Sequence, residues 1–82
     1  MRPAEARRLA ETYTLEELAH AAHHLGEESE PEIEIAGGDP GEKLTHVLLA
    51  MRMRERMELS GDDLREAFRA VMAEVRGVLK NE

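Results

Sequence analysis

Between Leu44 and Met57 the chain offers apolar side chains in two directions at once. At about 100° per residue, Leu44, Val47, Leu48 and Met51 share one face of a helix, while His46, Leu49, Ala50, Met53 and Met57 cover much of the opposite side. A helix apolar on two sides has to be covered on both. The neighbouring helices of so short a chain can cover one side, and the first of them is too short to cover all of the other. The pattern therefore predicts that a second copy covers His46, Leu49, Ala50, Met53 and Met57 through a twofold contact. The competing reading is a central helix within one chain, wrapped by the first helix and by an extended segment.

Eighty-two residues make a single domain, residues 1–82, near the lower limit for an unaided core. There is no cysteine, so neither disulfides nor thiolate metal sites can brace it, and oligomerisation is one of the remaining supports. Tyr13 and Phe68 are the only aromatic residues. A core of Leu, Val, Met and Ala suits helix-on-helix packing better than sheets. The expected fold is all-α: a small bundle of three to four helices with one short extended segment at about 31–36, assembled as a homo-oligomer.

Local signals place the elements. Pro3 suits a first helical turn, and residues 4–12 read as a short helix. Thr14 and Glu17 have capping-box spacing ahead of a second helix from Leu15 to Gly26 or Glu28, with Leu15, Leu18, Ala22 and Leu25 on its apolar side. Pro31 stops that helix, and the Glu32-Ile33-Glu34-Ile35 alternation has the period of an extended chain. Such a lone segment must pair with another, tuck its isoleucines onto helices, or meet its own copy. Asp39 as cap and Pro40 as first residue open the third helix, which runs to about Glu58. Ser60, Gly61 and Asp62-Asp63 separate it from a fourth, from about Asp62 to Lys80, with Ser60 and Asp63 at box spacing.

The net charge of −7 sits in one place. Seven acids and no base lie between Glu27 and Glu42, and elsewhere acids and bases balance at eleven each. An acidic surface repels phosphate, which argues against nucleic acid and anionic membranes. The segment could bind a basic protein or a divalent cation, though the alternation of a Ca²⁺ loop is absent and a solvated loop is the simpler account. No stretch approaches the roughly 18 apolar residues of a membrane span and no signal peptide opens the chain, so the cytoplasm is the expected compartment.

No catalytic pattern stands out. Glu17, His20 and His24 share the polar side of the second helix, and Glu17-x-x-His20 has the spacing of di-iron carboxylate bundles. One outward-facing helix supplies too few ligands, so a metal site there requires two such faces to meet; a solvated face is the simpler account. Met51, Met53 and Met57 near His46 resemble soft-metal ligands but equally suit adaptable packing. Gly37 to Thr45 has the glycines of a phosphate loop without its Gly-Lys-Ser/Thr core. No cofactor is expected.

The runs Tyr13-Thr-Leu-Glu-Glu-Leu18, Ile33-Glu-Ile-Ala-Gly-Gly-Asp39 and Gly41-Glu-Lys-Leu-Thr-His46, with Gly61-Asp-Asp-Leu64 and Val75-Arg76, resemble a small bacterial family known as a domain of unknown function. The similarity spans nearly the whole chain. It implies an accessory role in thiol redox metabolism, which without cysteine excludes electron exchange by the chain itself. The leading expectation is a non-enzymatic, homo-oligomeric adaptor that presents Glu27–Glu42 to another protein. The alternative is a metal-binding bundle using Glu17, His20 and His24.

Overall fold

Each helix of the computed structural model, which describes residues 1–80 and only the backbone of 78–80, begins where local chemistry supplies a start. Pro3 sits in the first turn of α1 (Pro3–Thr12). The Thr14 hydroxyl accepts the Glu17 N–H and the Glu17 carboxylate accepts the Thr14 N–H, closing a capping box on α2 (Leu15–Gly26). Asp39 accepts the Glu42 N–H at the start of α3 (Pro40–Leu59). For α4 (Leu64–Lys80) the box is formed by Asp63 and Glu66, three residues later than Ser60, which instead ends α3. No strand forms among the described residues.

The ends of α2 and α3 differ. Gly61 takes φ 75° just past α3, the left-handed position that glycine adopts without steric cost. Beyond α2 the same position falls to Glu28, at φ 60°. The Glu28 N–H bonds the Leu25 carbonyl and the Ser29 N–H bonds that of His24, a Schellman closure that offsets the strain on a side-chain-bearing residue.

α3 is the centre of the bundle: α1, α2 and α4 all pack on it, and α1 also touches α4. The core joins Ala6, Leu9 and Ala10 of α1, Leu18, Ala21 and Leu25 of α2, Val47, Ala50 and Met53 of α3, and Ala67, Val71 and Met72 of α4. A radius of gyration of 12.3 Å is close to the ~12 Å of a folded globule of this length.

This arrangement corrects the assignment of His46, Leu49, Ala50, Met53 and Met57 to an interface between copies. His46, Ala50 and Met53 have no exposed surface within a single chain, and Leu49 and Met57 are half-buried against the same core. Two features make a ten-residue helix a sufficient cover. Alanines at positions 6 and 10 let α1 approach α3 closely, and the 31–36 connection closes over His46. That connection is extended, as its alternation predicts, and it tucks its isoleucines inward: Ile35 is buried and Ile33 half-buried. On the other face Val47 is fully buried and Leu44 and Met51 are half-buried against the same core, so Leu48, 47% exposed, is its open position.

Candidate functional site

The acidic connection is the most distinctive surface, and a partly buried polar network holds it in place. Glu5, on the inner side of α1, receives Arg8 through both carboxylate oxygens, at 2.9 and 2.8 Å. One of those oxygens also accepts the Ala36 N–H at 2.8 Å. Arg8 reaches on to the Glu34 carbonyl at 2.8 Å. The guanidinium of Arg8, with the Ala36 amide behind it, holds the Glu5 carboxyl well below its ordinary range, at about 2, although burial works the other way. The same pairing raises Arg8.

His46 completes the anchor from α3. Its Nδ1 lies 2.8 Å from the Ala36 carbonyl, which can only accept, so the proton belongs on Nδ1; Nε2 then accepts the Arg2 N–H at 2.9 Å. Both bonds are those of a neutral ring. Glu42 stands 4.0 Å from Nε2 and 3.5 Å from the Arg2 guanidinium. Among the described residues, no buried side-chain nitrogen or oxygen lacks a partner. The polar interior is thus consumed in positioning residues 34–36.

With Ile35 and Ala36 fixed, the carboxylates before them face solvent: Glu27, Glu28, Glu30, Glu32 and Glu34 are all exposed. Glu32 and Ile33 lean over α2 and close a recess of about 230 Å³ with Thr14, Glu16, Glu17, His20 and His24. The recess gathers carboxylates and imidazoles, a surface suited to cationic groups.

Glu17, His20 and His24 line this recess together but do not converge as ligands. Glu17 is committed to the cap of α2, and the Nδ1 of His24 bonds the Ser29 hydroxyl at 3.0 Å. The rings of His20 and His24 have centroids 6.5 Å apart. Among the described residues no group of three or more His, Asp or Glu side chains is placed to hold a metal ion. The physical reason is the one-helix geometry: Glu17 turns back to the first turn while His24 is drawn on toward Ser29.

Sequence reasoning missed Glu5, Arg8 and the structural role of His46. Glu5 could have been noticed as an acid beside the apolar Ala6-Leu9-Ala10 stripe with a base three residues on. It also missed Arg7, whose guanidinium lies 5.4 Å over the Phe68 ring.

No helix among the described residues is long and apolar enough to cross a membrane. No curated protein and no solved structure matches the chain. A family model does match, over residues 1–80, and by that match the chain belongs to DUF6952, a family of unknown function.

Proposed function

We propose that this protein is a non-enzymatic interaction module whose acidic connection, within Glu27–Glu42, binds a basic segment of another protein. One observation carries the reading: five exposed carboxylates between Glu27 and Glu34 stand on a segment pinned at its far end by Glu5, Arg8 and His46. A carboxylate row on a fixed backbone binds cations with less ordering cost than the same row on a flexible chain. The recess under Glu32 and Ile33 adds Glu16 and the two histidines to the same side. With no cysteine in the chain, a part in thiol redox metabolism would be a binding role of this kind.

The test is a titration of a labelled Lys/Arg-rich peptide against wild type and against the combined Glu28→Gln, Glu30→Gln, Glu32→Gln and Glu34→Gln variant, followed by anisotropy. Wild type is expected to bind, with affinity falling between about 0.05 and 0.3 M salt. The variant should lose about tenfold or more in affinity. Equal affinity of the two proteins refutes the reading.

A further inference from the structure

Away from the acidic connection, α1 and α4 enclose an open groove of about 450 Å³. Phe68, Met72 and Val75 supply its apolar lining from α4, and Met1 and Pro3 face them. Arg69 and Arg76 line the same groove, and Arg7 stands over Phe68. Arg65, Arg69 and Arg76 fall within about 40° of one another around α4, so they form a single stripe beside the apolar residues.

These arginines are unusual in an acidic chain. With 18 acids against 11 Lys and Arg, a base has many carboxylates to choose from. Arg2, Arg8, Arg52 and Arg56 are paired with carboxylates, and Arg54 donates to the Tyr13 carbonyl. Arg7, Arg65, Arg69 and Arg76 are exposed and have no carboxylate partner among the described residues. Glu11, on the same side of α1 as Arg7, is exposed and pairs with none of them.

We propose that this groove receives the acidic segment, residues 27–34, of a second copy, so that chains associate head to tail. The proposal rests on the reading of that segment as a protein-binding element and names its partner. Charge complementarity is the first support. Unpaired guanidiniums rim an apolar floor, and the Glu30-Pro31-Glu32-Ile33-Glu34 run alternates carboxylates with apolar side chains.

The geometry of α1 is the second. The connection is tied to the Glu5 and Arg8 side, whereas the groove lies on the Pro3 and Arg7 side, about 150° around the helix axis. A chain's own acidic segment is therefore held away from its own groove, and the segment of another copy is the one free to enter. Because the two patches are different surfaces, the contact is heterologous and does not close at two copies.

Sedimentation equilibrium tests this on wild type, on Arg69→Glu/Arg76→Glu, and on Glu30→Gln/Glu32→Gln/Glu34→Gln, with circular dichroism checking the helices; Arg69→Gln/Arg76→Gln replaces the first variant should it unfold. Wild type should grow past dimer with concentration and revert as salt is raised. Each variant alone should associate about tenfold or more weakly. A mixture of the two variants should form one-to-one dimers and stop there, since each retains one intact patch. A monomeric wild type, a salt-insensitive dimer unaffected by either variant, or a mixture that stays monomeric would overturn the proposal. Should wild type fail to self-associate yet bind the basic peptide through its glutamates, the groove pairing alone is wrong. Failure of both removes the parent reading as well.

Discussion

Arg7 and Arg8 are consecutive in sequence and end in opposite circumstances. Arg8 is held by both oxygens of Glu5 and by the Glu34 carbonyl, in a network that continues through Ala36 to His46. Arg7 lies over the face of Phe68, and neither it nor the exposed arginines of α4 have a carboxylate partner among the described residues. The difference is set by the backbone each flank of α1 faces. The 31–36 connection brings polar amides and carbonyls that must be satisfied once buried, and these recruit Glu5, Arg8 and His46. α4 brings only side chains, so the arginines beside it have nothing they are required to satisfy. One flank is committed to the fold, and the other carries no such commitment.

The contrast predicts unequal sensitivity to mutation. The largest effect should come from His46→Leu, which strips the Arg2 N–H and the Ala36 carbonyl of their partner in a fully buried site. A loss of about 3 kcal/mol is expected by urea denaturation, and a loss below about 1 kcal/mol would mean that Ile35 alone secures the connection. Acid comes next. Glu5 titrates at about 2 in the folded protein against an ordinary 4.5. The stability it supplies is therefore complete above pH 4.5 and is withdrawn as pH falls toward 2. Across that window wild type should lose on the order of 2 kcal/mol more than Glu5→Gln does. Parallel pH profiles for the two proteins would show that the clamp on Glu5 does not stabilise the fold. The smallest effect belongs to the open flank: Arg7→Ala should shift the same denaturation midpoint by less than about 1 kcal/mol, and a larger loss would make that side structural too.

What could be read from sequence divides along the same line between local and distant causes. Thr14 and Asp39 mark helix starts because a cap bonds amides within three residues of itself, and Pro3 and Pro40 because a fixed φ and no N–H suit a first turn. The extended nature of residues 31–36 was legible from alternation, and the exposed acidity from counting charges. The left-handed turn at Glu28 was not, because the glycine that would signal it stands two residues earlier, inside α2. Nor was the buried side of α3: with apolar residues on both faces, periodicity cannot choose, and the choice falls to the alanines of α1. His46 counted as one more residue of an interface because its partners, Ala36 and Arg2, lie 10 and 44 positions away. The set Glu17, His20 and His24 shows the converse limit. The spacing named a ligand set only for two such faces meeting, and it could not show that the Glu17 carboxylate is already engaged by the Thr14 N–H.

The His46 ring has a further consequence, for the order in which the molecule assembles. It joins three points of the chain, positions 2, 36 and 46. The span back to Arg2 is a loop of 44 positions whose closure entropy must be overcome before the Arg2 hydrogen bond contributes anything, whereas the bond to Ala36 closes only ten. The capped helices can form early on their own local signals, whereas this junction waits until α1 has docked on α3. The ring thus ties the start of α1, the connection and α3 together in an interior that has no covalent cross-link to do so.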